Sequence, residues 1–296
     1  ERFEENTKKF RQVGIGPMGM SDAMFNIGIK YDSLTGKEFA AKVMRTITTA
    51  CVECSADMAA EHGPFHEYED FKEDVEKIIS KLIDNDEKVM EKVKTYGLRN
   101  SQHSTAQPTG TTALSCDASY GIEPSFGLVF KKNLIDGTTM MVINPIFEEK
   151  YGHKDWFNDT LMEKIFNNGG TLKNIRGIPK DVREVFVTAH DIKPKDRIDI
   201  QSYMQKHCST SISSTVNLPE IATQEDIAEI YRYAYRSGLK GVTVYRDGCK
   251  LNQPVSFKPK EDKVVSTSFE RPTRLSGNIH KIDTGRGTMY VTVGTS

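Results

Sequence analysis

A loop rich in threonine lies near the middle of the chain, at Thr109-Gly110-Thr111-Thr112. Pro108 ends the segment before it because proline cannot continue a helix, and Gly110 lets the backbone approach a ligand closely. Backbone amides at the start of a short helix, together with threonine hydroxyls, can bind an anion such as phosphate. The loop lacks the Gly-x-x-x-x-Gly-Lys-Ser/Thr pattern of a Walker loop. Taken alone it also fits a threonine-rich helix cap, so phosphate binding needs support from a second motif.

A pair of cysteines, Cys51 and Cys54, has the spacing of a redox or metal-binding motif. Both fall on the apolar face of a predicted helix and no second Cys-x-x-Cys follows, so we expect them to pack in the core. The alternative, a thiol-redox protein that uses this pair, stays open and requires both thiols to be accessible. His207 and Cys208 are predicted to lie at the surface or to pack, because no acidic partner has suitable spacing.

The first long element is a helix over the apolar-periodic region that starts near residue 35. The capping box Thr35-Gly36-Lys37-Glu38 predicts its beginning, and Gly63-Pro64 predicts its end. The residues that we expect to be buried are Phe39, Val43, Met44, Ile47, Ala50, Cys51, Cys54 and Met58.

Further elements follow from the same patterns. A second amphipathic helix is predicted near residues 71–95, and an apolar patch at 129–145 predicts a strand or the start of a buried helix. Residues 146–190 are predicted to be mainly helical.

The clearest α/β pattern lies near the end of the chain. Thr223 with Asp226 three residues later predicts a capped helix that closes at Gly238. The β-branched run 241–245 then predicts a buried strand, and a helix followed by a strand is typical of α/β folds. The buried stripe of this helix is predicted as Ile227, Ile230, Tyr231, Ala234 and Tyr235.

Beyond this unit the pattern changes. Residues 250–273 are polar and contain proline, which predicts a linker. The alternating segment 277–293 predicts a β-hairpin with Gly285 and Gly287 at its turn.

Composition narrows the function classes. Lys and Arg number 40 and Asp and Glu 41, which gives a net charge of -1 and no basic field to hold nucleic acid or an anionic membrane. No apolar run approaches the roughly 20 residues needed to span a bilayer. The charged N-terminus has neither an initiator Met nor a signal peptide, which suggests a processed chain, a cut chain or a piece of a longer protein. Five irregularly spaced cysteines suggest reduced thiols in a cytoplasmic protein.

A second motif follows the threonine loop, as Gly121-Ile122-Glu123-Pro124. Pro-Thr-Gly-Thr followed by Gly-Ile-Glu-Pro at this spacing resembles the large-subunit fold of ribonucleotide reductases, in which the threonine-glycine loop binds the substrate phosphates. Further blocks occur in the order of that family: Val-Gly-Ile-Gly-Pro-Met-Gly-Met at 13–20, Gly-Leu-Arg-Asn at 97–100, Ser-Ile-Ser-Ser-Thr-Val-Asn-Leu-Pro at 211–219, and Gly-Leu-Lys-Gly-Val-Thr-Val-Tyr-Arg-Asp-Gly at 238–248.

The resemblance is to the class II enzymes of that family. Class I subunits carry a tyrosine pair on the last strand, where this sequence has Thr243 and Val244, and no glycyl-radical signature of the anaerobic class is present. Class II enzymes generate their radical from adenosylcobalamin, so the resemblance implies this cofactor. It also implies a ribonucleoside di- or triphosphate substrate and a dithiol reductant such as thioredoxin.

Parts of the family pattern are missing or changed. The thiyl cysteine of the family lies in an Asn-Pro-Cys-x-Glu block that this sequence lacks, so we expect no catalytic residue and no metal site in the chain. The resemblance places that block upstream, which implies the N-terminal half of the barrel as a partner. Ser214 stands where the class II pattern has a lysine, and Arg286 replaces a cysteine of a C-terminal domain.

The sequence therefore predicts the C-terminal part of a ten-stranded α/β barrel of the ribonucleotide reductase type, with a short β-hairpin extension. We expect barrel residues at 1–249, a linker at 250–273, and the incomplete start of a small β-rich domain at 274–296.

The predicted site binds the substrate phosphates at Thr109, Gly110, Thr111 and Thr112. Its expected lining is completed by Pro108, Glu123, Pro124 and Tyr245. The predicted function is radical-based reduction of ribonucleotides to deoxyribonucleotides, in concert with the missing half. The alternative is a nucleotide-binding or regulatory module that has lost the chemistry.

Overall fold

A computed structural model of the chain describes residues 2–133, 139–249, 276–284 and 287–295. The chain divides into two compact units, Glu1–Phe257 and Lys258–Ser296, which are described separately. The elements of the first unit are α1 (Arg2–Phe10), α2 (Met20–Ile27), α3 (Leu34–His62), α4 (Lys72–Leu82), α5 (Glu87–Tyr96), α6 (Gly110–Ser115), β1 (Val129–Asn133), β2 (Thr139–Ile143), α7 (Pro145–Tyr151), α8 (Asp159–Asn167), α9 (Lys180–Val185), α10 (Pro194–Gln205), β3 (Thr215–Leu218), α11 (Gln224–Arg236) and β4 (Thr243–Arg246).

Parallel chain segments form the centre of the first unit. Strands β3 and β4 pair in parallel, from Thr215 opposite Thr243 to Leu218 opposite Arg246. Parallel bridges extend this arrangement through two more segments, because Ala106 pairs with Ile212, and Ser104 pairs with Ile15. Helix α10 packs against α3, α11 and β3. Parallel segments covered by helices are the arrangement predicted for an α/β fold.

Helix α3 buries its small residues. The face that packs inward carries Gly36, Ala40, Met44, Thr48, Val52, Ser55, Ala56 and Ala59. A side chain at Gly36 would place its Cβ 2.5 Å from the carbonyl oxygen of Tyr31. The backbone at Tyr31 can lie this close to the helix only because residue 36 has no side chain. The predicted stripe was wrong for Ala50, Cys54 and Met58, which are exposed. The neighbouring elements pack instead against the face that carries Val52, Ser55 and Ala56. The N-cap is Ser33, which accepts the N–H of Gly36, and not the predicted Thr35.

The predicted helix at 71–95 is two helices, α4 and α5. The break between them holds Asp84 and Asn85 at φ of 52° and 57°, a left-handed conformation that Asp and Asn tolerate better than most residues. Asp86 then caps α5 by accepting the N–H of Val89 at 3.2 Å. The run Asp-Asn-Asp at 84–86 favours a turn, and the prediction of one helix overlooked it because apolar residues recur on both sides.

Other elements agree with the sequence patterns. β1 and β2 form an antiparallel hairpin, which decides between the two structures expected at 129–145. Helix α11 has the predicted capping box between Thr223 and Asp226. Its predicted stripe was wrong for Tyr231 and Tyr235, which are 50% and 85% exposed. The buried residues of the helix are Ile230 and Ala234, which pack against β3.

Two ion pairs and a hydrogen bond join three helices of the first unit. Lys37 of α3 lies 2.8 Å from both Asp196 and Asp199 of α10. The hydroxyl of Tyr233 on α11 donates to Asp199 at 2.6 Å. These contacts fix α10, which carries a residue of the site, against its neighbours.

The second unit contains an antiparallel hairpin of β5 (Ser276–Thr284) and β6 (Gly287–Thr295). Its last pair, Thr284 with Gly287, agrees with the turn predicted at this place. The predicted linker at 250–273 lies outside the described residues. In the described ranges, no helix combines the length and the apolar character that crossing a lipid bilayer requires.

His103 is a buried imidazole without hydrogen-bond partners among the described residues. Its side chain is 1% exposed and neither ring nitrogen is bonded. Burial lowers its pKa from 6.5 to about 4. Between these values the unfolded chain binds a proton that the folded chain does not, so the free energy of unfolding decreases as the pH falls from 6.5 to 4.

We therefore expect replacement of His103 by Leu to flatten the pH dependence of stability. The parent chain should lose about 3 kcal/mol more than the variant between pH 6.5 and pH 4, because each unit of pKa difference corresponds to about 1.4 kcal/mol. Urea unfolding at a series of pH values measures this difference. The two chains should have parallel profiles above pH 7, and parallel profiles between pH 6 and pH 4 would contradict the prediction.

Candidate functional site

A pocket of about 520 Å³ lies where the threonine loop, the β1–β2 hairpin and the segment leading into β3 meet. Pocket volumes of this order are typical of sites for small molecules and cofactors. Its lining includes Pro108, Gly110, Glu123 and Pro124, so four of the residues predicted from two separate motifs share one cavity. Thr109, Thr111 and Thr112, which were predicted with them, are not among the lining residues. A larger groove of about 690 Å³ between α4 and α5 is an open surface lined mainly by Glu and Lys, and it shares no residue with the loop.

Thr109 joins the two sequence motifs. Its hydroxyl accepts the backbone N–H of Gly121 at 2.7 Å, and its own φ is 53°. The first hydrogen bond of α6 runs from the N–H of Ala113 to the carbonyl of Thr109, at 2.7 Å. The N–H groups of residues 110–112 precede that bond, so they have no partner within the helix. Thr111 and Thr112 are exposed on the same turn.

Glu123 forms one wall of the pocket and is held from behind by α10. One carboxylate oxygen accepts the N–H of Thr215 at 2.8 Å, and the other accepts a hydrogen bond from Arg197 Nη2. The same nitrogen of Arg197 donates to Ser214 Oγ at 2.9 Å and to the carbonyl of Thr215 at 3.1 Å. Arg197 itself is 2% exposed. Ser214, which replaces a lysine of the class II pattern, is therefore buried beside a guanidinium group.

Tyr31 completes this network. Its hydroxyl accepts from Arg197 Nη1 at 2.6 Å and donates to the carbonyl of Ile122. Burial raises the pKa of Tyr31 to about 12; Arg197 acts in the opposite direction and Glu123 adds to the increase. Sequence reasoning missed both Tyr31 and Arg197, since neither belongs to a recognisable motif and they are far apart in the chain.

The remaining walls differ in character. Ser213, Thr215 and Asn217 line one side at alternate positions of one extended segment. The lining also includes the apolar residues Phe126, Phe130, Val142, Ile143 and Pro145. The described residues that line the pocket include three carboxylates, from Asp22, Asp117 and Glu123, but neither Lys nor Arg.

Tyr245 does not line this pocket, although it was predicted to. It pairs in register with Asn217, so its side chain is on the face of the sheet that carries the polar row. Its hydroxyl is buried without a hydrogen-bond partner among the described residues. Its role in the site stays a prediction.

The glycine-rich segment at 13–20 packs on the strand that leads to the threonine loop. A Cβ at Gly16 would lie 2.0 Å from the carbonyl oxygen of Thr105 and 2.5 Å from Gln107 Oε1. A Cβ at Gly121 would lie 2.7 Å from the carbonyl oxygen of Gln107. The backbone just before the loop is thus enclosed between two glycines, which sets the position of the loop.

Cys51 and Cys54 show no sign of a redox or metal-binding pair in the described part of the chain. Cys54 is exposed and Cys51 is half-buried, so the expectation of a core pair was wrong. Burial, and then the neighbouring Cys54, raise the pKa of Cys51, which lowers its reactivity as a nucleophile. His207 and Cys208 are both buried, and His207 Nδ1 is 2.9 Å from the carbonyl oxygen of Leu82. Of the two positions predicted for His207 and Cys208, at the surface or packed in the interior, the structure shows the second.

Comparison with protein families matches residues 1–245 to the ribonucleotide reductase barrel domain. The chain is 32% identical over 289 residues to the vitamin B12-dependent ribonucleoside-diphosphate reductase of Thermoplasma acidophilum, across 96% of this chain and 34% of that protein. It is 31% identical over 266 residues to the enzyme of the same name from Mycobacterium tuberculosis, across 90% of this chain and 35% of that protein. The chain therefore spans about a third of the length of these relatives.

A solved structure supports the fold. The alpha subunit of a class Id ribonucleotide reductase from Actinobacillus ureae superposes with a TM-score of 0.64 at 18% identity, covering 82% of this chain and 40% of that subunit. Together with the family match, this confirms the predicted fold, a part of an α/β barrel of the ribonucleotide reductase type.

Replacing Gly16 by Ala should displace the backbone at Thr105, which leads into the threonine loop. Because the added Cβ meets a carbonyl oxygen, we expect the free energy of unfolding to decrease by at least about 2 kcal/mol. Gly241→Ala is the matched control, since a Cβ there meets nothing within 4 Å and should change stability by less than about 0.5 kcal/mol. Equal urea midpoints for both variants would show that the close approach at Gly16 is wrong.

Proposed function

Because the chain belongs to the ribonucleotide reductase barrel-domain family, we propose that it is the C-terminal part of a vitamin B12-dependent enzyme that reduces ribonucleotides to deoxyribonucleotides. The observation that carries the proposal is one pocket that is lined both by Gly110 of the threonine loop and by Glu123. The hydrogen bond from the Gly121 N–H to Thr109 ties the two motifs together. A nucleotide in this pocket can contact both.

The loop binds the phosphates of a ribonucleoside di- or triphosphate. N–H groups without an intrahelical partner at residues 110–112, and the exposed hydroxyls of Thr111 and Thr112, are donors to phosphate oxygens. A Cβ at Gly110 would meet no protein atom within 4 Å, so the space beside this residue is open to a ligand. Since no Lys or Arg is among the described lining residues, neutral donors supply the phosphate contacts.

The rest of the nucleotide lies toward Glu123 and the polar row of Ser213, Thr215 and Asn217. Anchoring the phosphates at one end fixes the orientation of the ribose, which is the contribution to catalysis that a binding element can make. The thiyl cysteine comes from outside this chain, because no Asn-Pro-Cys-x-Glu block occurs in the sequence.

Adenosylcobalamin is the proposed cofactor, as the names of the relatives indicate. It supplies radical chemistry when bound. The apolar part of the pocket lining, with Phe126, Phe130 and Val142, suits the face of a large organic group. A cavity of about 520 Å³ does not enclose a whole corrinoid, so most contacts to it belong to the rest of the enzyme. None of the chain's own residues is proposed to carry out a step of the cofactor's chemistry.

The proposed partners are the N-terminal half of the barrel and a dithiol reductant such as thioredoxin. Val13 and Ile15, on the segment at the end of the parallel arrangement, are 41% and 53% exposed. An edge segment with exposed apolar side chains is a surface that another part of a barrel would cover. The alternative, a nucleotide-binding module without chemistry, would use the same pocket and differs only in what the assembled protein does.

Reconstitution tests the catalytic proposal. Purified chain, mixed with the N-terminal part of a vitamin B12-dependent relative that contains the Asn-Pro-Cys-x-Glu block, should reduce ribonucleotides in the presence of adenosylcobalamin and a dithiol. Neither part alone should be active, because the phosphate loop and the thiyl cysteine are then separated. An inactive mixture that co-elutes as a complex, but still binds nucleotide, would favour the binding-module alternative.

Gly110→Ala tests the phosphate site. The new methyl group meets no protein atom, so the variant should fold, but it occupies ligand space and should raise the Kd for a ribonucleoside diphosphate at least about tenfold, or about 1.4 kcal/mol. Gly241→Ala serves again as the control, because its site is open and lies outside the pocket lining. Calorimetric titration measures both. An unchanged Kd for Gly110→Ala would remove the loop from the binding site.

A further inference from the structure

Glu123 is oriented by a buried cation that does not itself reach the pocket. The Glu123 side chain is 24% exposed and lines the cavity, whereas the Arg197 side chain is 2% exposed and lies behind it. A buried guanidinium needs a charged partner and hydrogen-bond acceptors to offset the loss of hydration. Arg197 obtains them from Glu123, Tyr31, Ser214 and the carbonyl of Thr215.

This arrangement leaves part of the carboxylate free. An ionised carboxylate has about four lone-pair sites for hydrogen bonds. Two contacts are made on the protein side, one with the N–H of Thr215 and one with Arg197 Nη2. The remaining sites belong to a side chain that lines the pocket, so they are available to a donor on a ligand.

The position of the guanidinium is itself fixed. The Tyr31 hydroxyl donates to the Ile122 carbonyl, so its lone pairs face Arg197 Nη1, which donates to it at 2.6 Å. Because Ile122 precedes Glu123, Tyr31 holds both the cation and the backbone beside the carboxylate. The guanidinium also lies 5.6 Å from the centroid of the Tyr31 ring.

We propose that Arg197 is a positioning residue, which fixes the Glu123 carboxylate at the pocket wall as the acceptor for a hydrogen-bond donor on the nucleoside part of the ligand. This inference rests on the proposed function, since it takes the phosphates to lie at the threonine loop. Donors lie at the loop, whereas Glu123 presents acceptor sites next to Ser213 and Thr215. The nucleoside donor is a ribose hydroxyl or a base amino group, and the choice of ligands separates the two.

The test uses the full chain and measures Kd for cytidine diphosphate and for inorganic pyrophosphate. Glu123→Gln and Arg197→Met should each raise the Kd for cytidine diphosphate about tenfold to hundredfold, the range for a hydrogen bond to a charged group. The Kd for pyrophosphate should stay within about twofold, because its contacts are at the loop. Arg197→Lys, which keeps the charge without the two-armed geometry, should give an intermediate Kd for the nucleotide.

Further ligands identify the donor. The 2′-deoxy and 3′-deoxy analogues of cytidine diphosphate each lack one ribose hydroxyl, and uridine diphosphate lacks the exocyclic amino group. The analogue that lacks the donor bonded to Glu123 should bind the parent chain weakly and should lose no further affinity in Glu123→Gln. A Glu123→Gln loss of equal size for every analogue would overturn the inference, because no donor would then be specific to Glu123.

Controls separate positioning from a general loss of structure. Arg232→Met removes an exposed ion pair with Glu225 on α11, outside the pocket lining, and should leave both Kd values unchanged. If Arg197→Met does not fold in a thermal melt, Tyr31→Phe keeps the ion pair, removes one guanidinium contact and should raise the nucleotide Kd about two- to tenfold.

The outcomes distinguish the two proposals. A folded Glu123→Gln chain that binds cytidine diphosphate as tightly as the parent overturns this inference and leaves the proposed function standing. Equal losses for nucleotide and pyrophosphate in the Arg197 variants also overturn it, since the effect would then be a distorted pocket. A parent chain that binds neither ligand overturns the proposed function, and this inference with it.

Discussion

The structure depends on one buried charge, the guanidinium of Arg197. A cation that is 2% exposed is stable only if its surroundings supply a counter-charge and acceptors. Here they come from three separate parts of the chain: Tyr31 before α3, Glu123 after the threonine loop, and Ser214 and Thr215 at β3. Pairing the two terminal nitrogens of this side chain therefore requires the polypeptide before α3, the pocket wall and the sheet to be correctly placed against α10. The geometry of the pocket follows from that requirement.

Close packing sets the frame in which this charge is held. Helix α3 places Gly36, Ala40 and other small residues inward, and the two glycines that enclose Gln107 let backbone segments approach closely. Small residues at contacts leave little freedom for the elements to shift, because protein interiors are packed to nearly crystalline density. The loop at Thr109 can therefore be both short and well placed, with a side-chain hydrogen bond that joins it to the Gly-Ile-Glu-Pro motif.

The lining of the pocket suits a nucleotide. It combines Gly110 of the threonine loop with hydroxyl, amide and carboxylate groups and with apolar side chains. Binding sites of this kind combine an apolar surface with a few placed polar groups. In the described residues no cation enters the pocket, so the charge of Arg197 acts through Glu123 rather than directly on a ligand. Under the proposed function the chemistry requires residues outside this chain, which spans about a third of the length of its relatives.

The sequence alone determined the features that depend on short-range contacts. The capping box at Thr223, the strand that follows α11, the hairpin turn before Gly287 and the two motifs around Thr109 and Glu123 are all local patterns. Each was predictable because capping, turn formation and strand alternation involve residues a few positions apart. The family resemblance extended these patterns to the barrel fold.

Only the tertiary structure decided which faces are buried and which residues meet. The inward face of α3 depends on how closely other elements approach, so apolar periodicity placed Cys54 and Met58 wrongly in the core. Arg197 and Tyr31 are 166 positions apart, and neither residue has a local reason to be part of a site. A buried charge finds its partners through the packing of the whole chain, and no pattern within one segment contains that information.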